Sequence, residues 1–197
     1  IENGHLTIPL HVFATIVNNL STERITLERK GFNLFVKTDN YEATIQGLNP
    51  EDFPIIPKIK NTSNFIKINA GIFKEGLSQA LSAAQFSDLR PEINGVFLKY
   101  GINSIKLAAT DSFRLAERTI LSDKFKSNFE TSFEAIIPLK TAEEAARIMK
   151  SNEELTIIPD ENQILFQCGD QEIISRLVDG KFPDYEPIIP KTTATEI

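Results

Sequence analysis

Apolar residues follow two different periods near the start of the chain. Apolar residues at three- and four-residue spacings predict a helix over about residues 11–20. Two later runs alternate apolar and polar residues, one through Phe32, Leu34 and Val36 and the next through Tyr41, Ala43 and Ile45. Between those runs stands Asp39-Asn40, a pair that favours a turn. The pattern therefore predicts a helix followed by half-buried antiparallel strands.

The same arrangement returns later in the chain. Ile8-Pro9-Leu10 precedes the first helix, and Phe53-Pro54 follows its strands. Ile137-Pro138-Leu139 precedes a second helical pattern near 139–150, and Phe182-Pro183 again follows the strands. The separation of Pro9 from Pro54 equals that of Pro138 from Pro183, 45 residues in each copy. A fixed separation of this kind indicates an internal repeat.

A further unit lies between the two copies and extends the repeat. An apolar stripe predicts a helix over about 70–84, preceded by a strand at Phe65–Ile68. Strands are also predicted at 96–100, 105–109, 155–158, 163–168 and 172–177. We therefore predict an α+β fold built from duplicated strand-helix-three-strand units. Prolines and a polar stretch set the predicted domain boundary, with a half domain at 1–62, a whole domain at 63–190 and the start of a linker at 191–197.

Composition narrows the classes of function. The chain is 41% hydrophobic and 24% charged, which is typical of a globular protein. No apolar run reaches the roughly 18 residues of a membrane-spanning helix, so we expect a cytoplasmic protein without membrane contact. One cysteine, Cys168, with His5 and His11 offers no metal-ligand spacing, and no cofactor or metal is expected. The net charge of −6 excludes one broad basic face, so any DNA contact must be local. Because Ile1 opens the sequence and the single Met149 lies deep within it, we expect a segment of a longer chain.

Two segments carry a family resemblance. They are Ala109-Thr110-Asp111-Ser112-Phe113-Arg114-Leu115-Ala116 and Ser175-Arg176-Leu177-Val178-Asp179-Gly180-Lys181-Phe182-Pro183-Asp184-Tyr185. Both resemble signatures of the bacterial sliding clamp, the beta subunit of DNA polymerase III. Asn94-Gly95-Val96, and Ile137-Pro138 at the start of the next predicted helix, also resemble the family and occur in the family's order. The resemblance therefore covers essentially the whole chain.

The resemblance implies a DNA clamp (processivity fold), with antiparallel sheets outside and helices lining a ring. The intact family member would be a homodimer ring of three domains per subunit that encircles double-stranded DNA without sequence preference. Its implied partners are the DNA polymerase III catalytic subunit, the clamp loader and other proteins with clamp-binding peptides. The resemblance implies no catalysis. For this chain alone, which would lack the third domain, we expect a monomer.

The resemblance also implies two sets of site residues. A hydrophobic partner-peptide pocket would use Ile93, Thr110, Ser112, Phe113, Arg114, Leu115, Pro183, Pro187 and Ile188. Cations facing DNA would be Lys74, Arg90, Lys140, Arg147 and Lys150, although exposed helix charges are as often only solvated. Ser112-Phe113 stands where many members have Gly-His, and Pro187 replaces a frequently polar residue.

One enzymatic alternative stays open at this point. Asp111 and Asp184 could form a carboxylate pair for acid-base chemistry on a similar duplicated scaffold. A third catalytic group is not evident in the sequence, and an ion pair between Asp111 and Arg114 is the simpler interpretation. Asp111→Asn and Asp184→Asn variants that keep partner binding would separate the two hypotheses.

Overall fold

The computed structural model describes residues 3–21, 24–54, 58–59 and 62–190. The chain divides into two compact units, Ile1–Ile56 and Pro57–Ile197. This division falls a few residues before the domain boundary predicted at residue 62. The proposed linker at 191–197, and Ile55-Ile56-Pro57 of the first repeat copy, lie outside the described residues.

The first unit contains one helix and one three-stranded antiparallel sheet. Its elements are α1 (Leu10–Asn19), β1 (Thr26–Lys30), β2 (Asn33–Lys37) and β3 (Glu42–Gln46). The predicted alternation is confirmed within β2 and β3, because Leu34, Val36 and Ile45 are buried while their strand neighbours are not. Phe32 and Tyr41, which were predicted to begin the two runs, precede these strands and are 51% and 41% exposed. Phe13 and Ile16 of α1 pack against these three side chains.

The second unit contains two consecutive copies of the predicted strand-helix-three-strand arrangement. The first copy is β4 (Ile66–Asn69), α2 (Ala70–Leu81), β5 (Gly95–Gly101), β6 (Ser104–Thr110) and β7 (Leu115–Leu121). After the short β8 (Phe125–Ser127), the second copy is β9 (Phe133–Pro138), α3 (Leu139–Ile148), β10 (Glu154–Pro159), β11 (Gln163–Cys168) and β12 (Gln171–Arg176). The duplicated α+β fold is therefore confirmed.

The two copies exchange their first strands. One sheet has the order β12-β11-β10-β4-β8, and the other has the order β7-β6-β5-β9. Thus β4 of the first copy pairs with β10 of the second, and β9 of the second pairs with β5 of the first. All these pairs are antiparallel. Neither copy can complete its sheet alone, so the two fold as one domain.

One apolar core joins both sheets and both helices. Phe73 of α2 and Phe166 of β11 are fully buried, with ring centroids 6.0 Å apart. Helix α3 buries Ala142 and Ala145, whose small side chains allow close packing against α2. Truncating a core aromatic such as Phe73 to alanine costs about 3–5 kcal/mol.

Local signals set the helix ends. Asn69 caps α2, because its Oδ1 accepts a hydrogen bond from the Ile72 amide at 3.3 Å. Helix α2 ends at Leu81, so the predicted end at residue 84 was wrong by one turn. The Ser82 hydroxyl donates to the Gln79 carbonyl at 2.7 Å, which closes the final turn. The strands β7, β8 and β9 were not individually located from the sequence.

Candidate functional site

The turn between β6 and β7 holds four of the predicted pocket residues in a dense set of hydrogen bonds. Asp111 Oδ1 accepts from the amides of Phe113 at 2.9 Å and Arg114 at 2.7 Å. Thr110 Oγ1 donates to the Arg114 carbonyl at 2.7 Å and accepts from the Ser112 amide at 3.1 Å. An Asp that accepts from the amides ahead of it stabilises a tight turn. The turn is therefore preorganised by its own side chains.

Asp111 and Arg114 form an ion pair within this turn. Arg114 Nε and Nη2 each lie 2.9 Å from Asp111 Oδ2. The hydrogen bonds from the amides of Arg114 and Phe113, assisted by the Arg114 guanidinium, lower the pKa of Asp111 to about 2. The Asp111 side chain is only 7% exposed, whereas Arg114 is 62% exposed. The pair thus braces the turn and leaves the guanidinium accessible.

Ser112 and Phe113 form the tip of the turn. Ser112 has φ +76°, the one positive φ of a non-glycine residue in the described ranges. Such a conformation is unfavourable for a residue with a Cβ. Arg90 Nη1 donates to Ser112 Oγ at 2.9 Å, which adds support from a separate loop. Phe113 is 96% exposed, so this rigid turn presents a phenyl ring to solvent.

Beneath the turn lies a second apolar cluster. It consists of the buried residues Ile93, Phe97, Ala108, Ile136, Phe182 and Tyr185. Leu115, the first residue of β7, is half-buried and packs against it. Ile93, a predicted pocket residue, is only 2% exposed, so it belongs to the buried cluster and offers almost no accessible surface.

The segment 182–188 brings the remaining predicted pocket residues beside that cluster. The Phe182 ring stacks on Phe97 with centroids 4.8 Å apart, and Tyr185 meets Phe97 edge-on at 6.4 Å. A single 3-10 turn, Glu186–Ile188, then exposes Pro187 and leaves Ile188 71% exposed. Pro183, which lies between Phe182 and Tyr185 in the sequence, is half-buried.

An open cleft of about 800 Å³ lies on another side of the same cluster. Its lining includes Phe97, Ile136 and Phe182, together with polar residues of 161–163 and 176–181. None of the nine predicted pocket residues lines it. This cleft could not be predicted from the sequence, because its walls come from four separated segments with no shared local pattern.

The five predicted DNA-facing cations differ in their surroundings. Four have partners: Lys74 Nζ donates to the Met149 carbonyl at 3.2 Å, Arg90 pairs with Glu92, Arg147 with Glu144 and Lys150 with Glu153. Lys74 thereby provides a hydrogen-bond donor for a carbonyl group at the C-terminal end of α3. Lys140 is exposed and has no ion pair or hydrogen bond among the described residues.

Comparison with known proteins places this geometry in a family. The sequence profile described as "DNA polymerase III beta subunit, central domain" matches residues 67–184, which is more than half of the chain. The chain belongs to this family. The matched range contains the turn at 110–115, the start of the segment 182–188, and the buried residues of both apolar clusters of the second unit except Ile66 and Tyr185.

Curated relatives of the chain are beta sliding clamps. The beta sliding clamp of Staphylococcus aureus is 30% identical over 192 residues, covering 96% of this chain and 50% of that protein. The beta sliding clamp of Bacillus subtilis is 30% identical over 198 residues, covering 100% of this chain and 51% of that protein. The chain thus spans about half the length of the curated relatives it matches.

Solved structures of the family share the fold. The Pseudomonas aeruginosa DNA polymerase III subunit beta has a TM-score of 0.83 and 26% identity, covering 94% of this chain and 50% of that one. The Bacillus subtilis clamp has a TM-score of 0.83 and 28% identity, covering 94% and 48%. A Helicobacter pylori beta clamp, at 21% identity, has a TM-score of 0.83 and covers 94% and 51%. The predicted clamp fold is confirmed.

The enzymatic alternative finds no support in this geometry. Asp111 already accepts hydrogen bonds from two amides and the Arg114 side chain. With a pKa of about 2, it is poorly matched to a general base near neutral pH. Asp184 is an exposed residue of the segment 182–188.

In the part of the chain that the structure describes, no helix is long and apolar enough to span a membrane.

Proposed function

We propose that this chain is part of a sliding clamp, the processivity factor of a bacterial replicative polymerase. The complete clamp encircles duplex DNA and tethers the DNA polymerase III catalytic subunit, the clamp loader and repair proteins. The observation that carries this proposal is the preorganised turn 110–114, which exposes Phe113 two residues before Leu115, a half-buried residue that packs on the same apolar cluster as Phe182 and Tyr185.

The chemistry of this surface suits an extended peptide with apolar side chains. Leu115 and Ile188 offer apolar area, and the Arg114 guanidinium keeps free donors at the rim. Burying a few Leu or Phe side chains supplies most of the affinity of such a short peptide. The solved Helicobacter pylori beta clamp is described as bound to a DNA ligase peptide. That description supports a peptide pocket in this chain.

The charge of the chain suits a protein that slides. With 21 Lys+Arg against 27 Asp+Glu, tight binding to the phosphate backbone is not expected. Topological enclosure holds a ring on DNA, so only weak and salt-sensitive contacts are required of its inner helices. Lys140 is the clearest candidate for such a contact, because it is exposed and unpaired among the described residues.

The repeat assigns parts of the chain within that clamp. Residues 1–62 supply the second half of domain 1, 63–190 supply domain 2, and 191–197 begin the linker to domain 3. The ring is a homodimer of full-length subunits, whereas the chain alone is a monomer. The clamp acts in the cytoplasm, where bacterial DNA is replicated. The clamp performs no catalysis and holds its partners by binding alone.

A peptide titration tests the proposal. The chain, labelled with ¹⁵N, is titrated with a short peptide carrying Leu and Phe, and with the same peptide carrying alanine at both positions. We expect shifts at residues 110–115 and at Ile188 with the first peptide only. Phe113→Ala should weaken binding, whereas Phe53→Ala should not, since Phe53 is 56% exposed but lies in the first unit. Equal shifts with both peptides, or none at residues 110–115, would reject the pocket.

A further inference from the structure

A hydrogen bond joins β7, the strand that carries Leu115, to the segment 182–188 of the proposed peptide pocket. The Tyr185 hydroxyl donates to Glu117 Oε2. Glu117 lies two residues after Leu115 on β7, and Tyr185 lies two residues before Pro187. The bond therefore fixes the strand that carries Leu115 relative to the 3-10 turn that carries Pro187 and Ile188.

Two lysines extend this bond into a network of charges. Lys106 Nζ lies 3.6 Å from Glu117 Oε2 and 3.1 Å from Glu186 Oε1. Lys99 Nζ lies 3.4 Å from Glu134 and 3.9 Å from Glu186. The side chains of Glu117 and Lys106 are only 21% and 28% exposed. Partial burial reduces screening by solvent, so this network is less weakened by water than an exposed ion pair.

The protonation states of the network favour the same arrangement. Burial, and then the Glu117 carboxylate, raise the pKa of Tyr185, so its phenol remains a hydrogen-bond donor near neutral pH. The hydrogen bond to Glu186 raises the pKa of Lys106, and the same contact lowers the pKa of Glu186. Near neutral pH, Lys106 is therefore the cation that balances both carboxylates.

Aromatic packing and the hydrogen bond to Glu117 both orient this segment. Phe182 and Tyr185 pack on Phe97 and bury the segment against the cluster. Stacked and edge-on ring contacts favour certain geometries, and a charge-assisted hydrogen bond adds a further defined geometry at the hydroxyl. The bond to Glu117 thus fixes the position of the Tyr185 hydroxyl oxygen and the direction in which the ring points, and with them the start of the turn Glu186–Ile188.

We propose that Glu117, held by Lys106, is a positioning residue of the peptide pocket, and that it acts through Tyr185 to set the distance between Leu115 and Ile188. This inference rests on the proposed function. It assigns a role to Glu117 and Lys106, which lie outside the nine predicted pocket residues. Neither residue needs to touch the peptide, because each acts on the shape of the surface that receives it.

Affinity measured apart from stability tests the proposal. Tyr185→Phe, Glu117→Gln and Lys106→Met are compared for Kd toward the Leu- and Phe-containing peptide, well below each variant's unfolding temperature. Because a hydrogen bond to a charged group is involved, we expect Tyr185→Phe to raise Kd about tenfold. The Tyr185→Phe/Glu117→Gln double variant should lose less affinity than the sum of the two single losses, since both changes act on the bond between these two residues. Lys106→Arg should restore most of the affinity that Lys106→Met loses.

The control is a cross-strand ion pair away from the pocket. Lys67 and Glu154 lie 3.0 Å apart on the other sheet, so Glu154→Gln should leave Kd unchanged. If Tyr185→Phe and Glu117→Gln lower stability but bind the peptide like the unaltered chain, the residues are structural and the inference fails. If the unaltered chain binds no peptide, the proposed function itself fails, so the two failures are distinguishable.

Discussion

Arg90 Nη1 donates a hydrogen bond to Ser112 Oγ across 2.9 Å, linking the loop before β5 to the tip of the turn before β7. The same guanidinium donates from Nε to Glu92 Oε1 at 3.0 Å. Arg90 was predicted from the family resemblance to face DNA. In this structure the guanidinium of Arg90 donates to Ser112 and Glu92, which favours a role in stabilising the turn that carries Phe113.

Replacing Arg90 should therefore affect peptide binding. We expect Arg90→Gln and Ser112→Ala each to raise the peptide Kd about two- to fivefold, because each removes the partly exposed hydrogen bond between Arg90 and Ser112. The double variant should match the single ones. Isothermal titration calorimetry of the three variants measures this directly.

Duplex DNA provides the comparison for Arg90. A phosphate contact would make Arg90→Gln weaken DNA binding while Ser112→Ala left it unchanged. If DNA affinity follows that pattern and peptide affinity does not change in either variant, Arg90 is a DNA contact and its bond to Ser112 is incidental.

The positive φ of Ser112 predicts an unusual order of substitutions. Glycine adopts φ +76° without steric cost, so Ser112→Gly should stay within about 1 kcal/mol of the original free energy of unfolding despite losing the bond from Arg90. Ser112→Val places a β-branched side chain there and should cost about 1–2 kcal/mol. Urea denaturation measures both, with exposed Ser78→Val on α2 as the control expected to cost about 0.5 kcal/mol or less. Equal stability of the glycine and valine variants would contradict the conformation assigned to Ser112.

Acid should loosen the turn at a pH set by Asp111. Because folding lowers the pKa of Asp111 from 3.8 to about 2, its stabilising effect is complete above about pH 4 and is lost as the pH falls through 2. The amide shifts of Phe113 and Arg114, whose N–H groups donate to Asp111, should therefore titrate with a midpoint near 2. In Asp111→Asn that transition should be absent. A midpoint near the ordinary value of Asp would mean that the two amide bonds do not form in solution.

The repeat and the helices were predictable because each depends on short-range periodicity. Helix α1 was placed within one residue at each end, and the alternation in β2 matches the burial of Leu34 and Val36. Strand β9 was missed because its sequence, FEAIIP, runs directly into α3 and gave only a helix entry at Ile137-Pro138. The exchange of β4 and β9 between sheets depends on long-range pairing that no local pattern records.

The residues of the candidate site were likewise predictable where they lie in one sequence motif, and not where only the fold brings them together. The resemblance selected Thr110–Leu115 and Pro183, which lie in contiguous motifs. It did not select Glu117, Lys106 or Tyr185 as a group, since they come from β7, β6 and the segment 182–188. Their relationship depends on tertiary structure, where a buried phenol requires an acceptor and a partly buried carboxylate requires a cation.

Lys140 should contribute most to DNA binding among the predicted cations of α2 and α3. Lys74 and Arg147 are engaged by the Met149 carbonyl and by Glu144, whereas Lys140 is exposed and has no partner in the described ranges. We expect Lys140→Gln to reduce the slope of log K against log salt for duplex DNA by about 0.9, the value for one lost phosphate contact. Arg147→Gln should change that slope less, and Lys67→Gln, on a sheet strand and paired with Glu154, should leave it unchanged. Equal effects of all three variants would mean that DNA senses only net charge, and the proposed inner helix face would lose its support.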